Sequence, residues 1–177
     1  MANVRLYLDV DGVINAWSPF GDFTSGDDRY RRARAAGTVV TYRPVVVDAI
    51  NTLSRSGVEV LWLTTWKEQD RAELTRALGF EQFRGLTREQ ENGLWWKTAA
   101  ILNDFEQRGP APFIWADDDL SIFEYDNLTQ YLLERDQMVA IAPMCPVEPG
   151  LGLSDDELEF MYRFSVNPEP IEVTARD

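Results

Sequence analysis

The 177-residue sequence contains no histidine and a single cysteine, Cys145. Without histidine, the commonest general base and metal ligand is missing, so acid–base chemistry must come from carboxylates, lysine, tyrosine or Cys145. One cysteine excludes an intrachain disulfide and accords with a reducing compartment. Long apolar runs are missing as well. The longest, such as Val58 to Leu63 and Met138 to Met144, are far too short to span a bilayer, and no charged-then-apolar leader precedes the first strand pattern. A cytoplasmic protein without a membrane partner is expected. Basic residues are scarce, 17 Lys and Arg against 30 Asp and Glu, and the net charge of −13 repels polyanions unless a local basic patch overrides it. Repeats, low-complexity tracts and linkers are absent too, so residues 1–177 read as one domain.

What is present is a strand–helix alternation. Val4 to Val10 reads as a buried strand delivering Asp9 and Asp11 at its carboxyl end. Ala16 to Tyr42 is irregular, with Pro19, Gly21, Gly26 and Gly37 and the mixed-charge run Asp27-Asp28-Arg29-Tyr30-Arg31-Arg32, and reads as an excursion over the sheet edge. Pro44 opens a helix carrying Val46, Val47, Ile50 and Leu53 that ends near Gly57; Val58 to Leu63 is the next strand. Helices follow from Lys67 to Leu78 and from Leu94 to Phe105. Phe113 to Ala116 is a strand, Leu120 to Glu134 a helix, and Met138 to Ala142 the last strand. Ser154-Asp155-Asp156-Glu157 is a capping box for a closing helix to about Phe164, and the tail, 167–177, is polar and flexible. Such alternation implies a mainly parallel central sheet with helices on both faces, a three-layer Rossmann-like α/β fold that places ligands at the carboxyl ends of its strands. Asp9, Thr64 and Asp117 all fall there.

The most specific feature is Leu6-Tyr7-Leu8-Asp9-Val10-Asp11-Gly12-Val13, an apolar strand ending in two carboxylates one residue apart. A calcium-loop reading fails, because the twelfth position from Asp9 is Phe20 and not Glu. Asp9-Val10-Asp11-Gly12-Val13 resembles the first motif of the haloacid dehalogenase-like (HAD) superfamily. The further elements of that family follow in order: Thr64 ending Val60-Leu61-Trp62-Leu63, Lys97 in a helix's first turn, and Asp117-Asp118 ending Phe113-Ile114-Trp115-Ala116. The resemblance implies a phosphohydrolase in which Asp9 attacks phosphorus, Asp11 moves protons, and Thr64 and Lys97 hold phosphoryl oxygens. It also implies Mg²⁺ held by Asp9 and Asp117 and by the backbone carbonyl of Asp11, with Asp118 orienting Lys97 or a metal-bound water, or serving as an alternative ligand. Thr65 competes with Thr64 for the phosphoryl group, and either hydroxyl could instead cap the next helix. Dehalogenases lack an acid equivalent to Asp11.

Substrate class in this superfamily is set largely by cap insertions. Residues 16–43 leave room only for a flap or small cap, so the resemblance points to a bulky substrate or to a homo-oligomer closing the site. Arg29, Arg31, Arg32, Arg34 and Arg43 bring positive charge to that segment. Trp66, with Trp95 or Trp96, is placed to stack on a base or sugar. Leu61-Trp62-Leu63-Thr64-Thr65-Trp66 and Trp115-Ala116-Asp117-Asp118-Asp119 also resemble a HAD subgroup associated with RNA-repair proteins. The expected substrate is therefore a phosphorylated small molecule or a nucleic-acid end, with Thr65, Trp66 and Arg43 contacting it. The competing reading is a catalytically silent HAD-fold binding or scaffold protein.

Overall fold

Strand β1, Arg5–Leu8, is buried at every position. Its side chains alternate between two cores, as the pleat requires. Leu6 and Leu8 enter one and Tyr7 the other. The computed structural model describes residues 4–17, 28–86, 94–146 and 150–169. Within them β1 is the centre of a five-stranded sheet whose strands β4 (Glu59–Trp62), β5 (Arg84–Gly85), β6 (Phe113–Ala116) and β7 (Ile141–Met144) run in the order β5-β4-β1-β6-β7. Every pairing is parallel. The chain runs from β1 to β4 on one side and to β6 on the other, so the strand order reverses at β1, the place where open α/β sheets form a crevice.

Helices α1 (Pro44–Arg55), α2 (Glu68–Leu78) and α5 (Asp155–Val166) cover the face reached by Leu6 and Leu8, with Ile50, Leu53, Leu74 and Met161 buried there. Helices α3 (Trp96–Arg108) and α4 (Ile122–Glu134) cover the other face through Ile101, Phe105, Leu128 and Leu132. The three-layer Rossmann-like arrangement expected from the sequence is therefore the one observed. Local signals hold too. Pro44 occupies the first turn of α1, Gly79 ends α2 in the left-handed region, and Ser154 and Glu157 cap α5 reciprocally. No helix among the described residues is long and apolar enough to cross a membrane.

Two local expectations need correction, and one short strand was not anticipated. The stretch read as irregular contains an antiparallel hairpin, β2 (Arg31–Ala35) and β3 (Thr38–Tyr42), whose two-residue turn puts both Ala36 and Gly37 at positive φ. That turn geometry matches strand twist, but Ala-Gly is not the Asn-Gly pair that usually announces it. The last strand runs through Pro143, tolerated because β7 is an edge strand. Two-residue β5 is too short to leave a periodic signal. Pro19, Gly21, Gly26 and Asp27, and residues 170–177 of the tail, lie outside the described residues.

At the amino end of the sheet a charged network closes the fold. Asp104 of α3, 2% exposed, accepts from the Tyr7 hydroxyl at 2.8 Å, from Arg84 at 2.7 Å and from Arg108 at 2.5 and 2.9 Å. Arg5 lies 3.3 Å away, and Arg108 also pairs with Glu59. Burial would raise the Asp104 pKa, but the donors from Arg108, Tyr7 and Arg84 hold it below the ordinary carboxylate range.

Candidate active site

The opposite end of the sheet carries the carboxylates. Asp9 directly follows β1, its N–H bonding to the Ala116 carbonyl of β6, while the Asp117 N–H bonds to the Met144 carbonyl of β7. The ladder thus continues one residue past the regular strands and fixes both backbones before their side chains turn to the crevice. The chain then turns sharply, the N–H groups of Ile14 and Asn15 both returning to the Val10 carbonyl. Gly12 makes the turn at φ +72°, where a side chain is disfavoured. A Cβ there would sit 1.9 Å from Asp118 Oδ2, so glycine is also what lets the Asp118 carboxylate approach.

Asp9, Asp117 and Asp118 each place a carboxylate oxygen within 4.8 Å of the others. Lys97 Nζ, 3% exposed, lies 2.5 Å from Asp9 Oδ2 and 2.7 Å from Asp117 Oδ2. Burial disfavours the ammonium charge, but the Asp9 and Asp117 carboxylates reverse that and hold its pKa above the usual lysine value. One ammonium does not balance three carboxylates. Burial drives the Asp117 carboxyl up to about 7, with Lys97 opposing and Asp9 adding to the rise. Asp118 is pushed up to about 6 by burial and then by the Asp119 and Asp9 charges. A set of hard oxygen donors with excess negative charge in a partly dry crevice fits a divalent cation such as Mg²⁺.

Asp11 points elsewhere. Its Oδ1 accepts from Asn15 Nδ2 and its Oδ2 from the Trp66 indole N–H, both at 2.8 Å. Its side chain therefore stands apart from the Asp9–Asp117–Asp118 cluster, and Asp118 is the third carboxylate of that cluster. Thr64 is buried beyond the end of β4, its hydroxyl accepting a long 3.4 Å bond from the Trp66 N–H. Thr65 is exposed and lines the same cavity as Asp9, Asp11 and Lys97.

That cavity, about 280 Å³, is walled further by Trp17, Trp95, Trp96, Asp118 and Asp119. Trp95 stacks on Trp115 at 5.8 Å, and the Lys97 ammonium lies 5.1 Å from the Trp95 ring. Two residues expected to contact substrate are placed differently. Trp66 spends its indole N–H on Asp11. Arg43, 8% exposed, donates to the Leu153 carbonyl at 2.8 Å and to the Asp155 carboxylate, tying the start of α1 to the start of α5. Half-exposed Trp17 and the Asp11 partner Asn15 were not singled out by the sequence reading. For Asn15 the available signal was a short amide four residues after an acid in a tight turn.

The strand-end carboxylates, the buried lysine and the parallel sheet agree with the family comparison. The model describing the HAD domain in Swiss Army Knife RNA repair proteins matches residues 5–143, which span β1 through most of β7. No curated protein matches the chain. With the matched segment covering every strand-end acid and Lys97, the chain belongs to this family of HAD domains and is a HAD-type hydrolase.

Proposed function

We propose that the chain is a Mg²⁺-dependent phosphomonoester hydrolase that works through an aspartyl phosphate on Asp9. The observation that carries the reading is the convergence of Asp9, Asp117 and Asp118 beside Lys97, with Asp11 on the wall of the same cavity. Asp9, Asp117 and Asp118 would hold the metal, which supplies charge neutralisation of the phosphoryl oxygens. Without a counter-charge, the Asp9 carboxylate would meet a dianionic phosphate at about 3 Å, with repulsion of several kcal/mol at an effective dielectric near 20. Lys97 contributes to the same end from a buried position. An Asp9 oxygen attacks phosphorus, the ester P–O bond breaks, and Asp11 gives its proton to the departing oxygen. Water then attacks the Asp9 phosphate, Asp11 takes the water's proton, and phosphate and free Asp9 are released. Thr64 or Thr65 binds a phosphoryl oxygen.

The substrate class we favour is a nucleotide or a nucleic-acid end. Trp17 and Trp95 give the open cavity aromatic walls, Arg31, Arg32 and Arg34 are exposed on the neighbouring hairpin, and the family is described as a HAD domain in RNA repair proteins. A phosphomonoester panel that includes 3′- and 5′-phosphorylated oligonucleotides, assayed with Mg²⁺ and with EDTA, tests the reading. Release of phosphate that needs Mg²⁺ and is lost at least 10³-fold in Asp9→Asn is expected. Metal binding with no turnover across the panel would instead identify a silent binding protein.

A further inference from the structure

The Asp11 carboxylate is held at both oxygens by donors from two different elements. Asn15 reaches Oδ1 from the turn after β1, and Trp66 reaches Oδ2 from the loop between β4 and α2, both at 2.8 Å. Each donor is itself fixed. The Asn15 side-chain oxygen Oδ1 accepts from the Thr41 N–H at 3.0 Å, anchoring the amide to β3. The Trp66 ring packs against the core under α1 and α2, and its carbonyl accepts from Arg71 at 3.3 Å. Arg71 in turn lies over Gly85, where a Cβ would fall 2.3 Å from its guanidinium carbon. A carboxylate oxygen offers two lone pairs, so one N–H on each oxygen stops rotation of the group while leaving a position on each for a proton. Resting on the phosphatase reading above, we propose that Trp66 and Asn15 are positioning residues that aim Asp11 at the leaving oxygen, Trp66 being the arm that Phe can remove without emptying the core. The proton passes from Asp11 to the ester oxygen as the P–O bond breaks, and the indole N–H stays bound to the other carboxylate oxygen throughout.

A proton donor matters most when the departing group is a poor one. An alkoxide needs the proton, whereas p-nitrophenolate leaves without it. kcat/KM covers the steps up to departure of the leaving group, so the Asp9 phosphate's hydrolysis does not mask the difference. In Trp66→Phe, at saturating Mg²⁺, kcat/KM on an alkyl phosphomonoester should fall roughly 10- to 100-fold, and on p-nitrophenyl phosphate less than about threefold. In an Asp11→Ala background the same change should add no further loss on either ester, because Trp66 would have nothing to aim. Asn15→Ser should reproduce the leaving-group split if Trp66→Phe folds poorly. An equal loss on both esters, or a full additional loss in the Asp11→Ala background, would overturn the positioning role and leave the phosphatase reading intact. Undiminished turnover in Asp9→Asn, or no leaving-group split in Asp11→Ala itself, would overturn both.

Discussion

The two ends of the sheet treat buried charge in opposite ways. At the amino end, Asp104 and Glu59 meet three guanidinium groups, from Arg5, Arg84 and Arg108, and the Tyr7 hydroxyl fills a remaining position on Asp104. At the carboxyl end, Asp9, Asp117 and Asp118 meet one ammonium, from Lys97. The first arrangement depresses a carboxyl pKa and the second raises two. Asp104 and Asp117 are both buried and differ because Asp104 meets several cationic donors whereas Asp117 shares one ammonium with other carboxylates. In the proposed function the excess negative charge of the second end receives the cation. The amino end neutralises its buried carboxylates, and the carboxyl end leaves an excess of them.

The contrast between the two ends of the sheet is tested most severely at Asp104. Asp104→Asn leaves the buried Tyr7 hydroxyl and Arg5, and the partly exposed Arg84 and Arg108, without their anion, and should cost about 3 kcal/mol of stability, with kcat of the folded fraction within about twofold of the parent. Thermal and urea melts beside activity check this. Because the Asp104 pKa is depressed in the folded chain, its contribution is present above the unfolded carboxylate range and is lost as pH falls through the folded value, so the gap between parent and variant should close in acid.

The carboxyl end should respond to pH with the opposite sign. Asp117 and Asp118 are raised to about 7 and about 6, so their contribution to the metal-free fold is present below the ordinary carboxylate value and lost as pH rises through those values. In the proposed function protons and Mg²⁺ compete for the same oxygens. Saturation with Mg²⁺ at about a hundredfold excess over Kd should stabilise the chain by about 2.7 kcal/mol at pH 8, and by clearly less at pH 5.5. Melting curves with and without Mg²⁺ at both pH values measure it, and a shift of equal size at both would place the cation elsewhere.

Asp9, Asp117 and Lys97 were legible because each sits at a strand end or a helix start, where position along the chain fixes position in space. The sheet was legible for the same reason, from the buried runs at Val58 to Leu63 and Phe113 to Ala116. Asp104 was not, because an acid in the polar stretch with Asn103, Glu106 and Gln107 on a helix reads as solvated until Tyr7, 97 residues away, is seen to donate to it. The Trp66–Asp11 bond spans 55 residues and has no local pattern, so an indole beside the motif looked like a stacking platform. Arg43 misled through its charge, since nothing local announces that Leu153 and Asp155, more than 100 residues on, occupy its guanidinium. The hairpin hid behind arginines on β2 and an unusual turn dipeptide.

In the proposed mechanism Asp9 becomes phosphorylated during turnover. Enzyme quenched while hydrolysing a phosphomonoester in the presence of Mg²⁺, reduced with borohydride and digested, should yield the peptide containing position 9 with its aspartyl side chain converted to homoserine, and Asp9→Asn should yield none. Continuous phosphate release with Asp9 left unmodified under the same quench would mean that water attacks phosphorus directly, and would contradict the assignment of Asp9 as nucleophile.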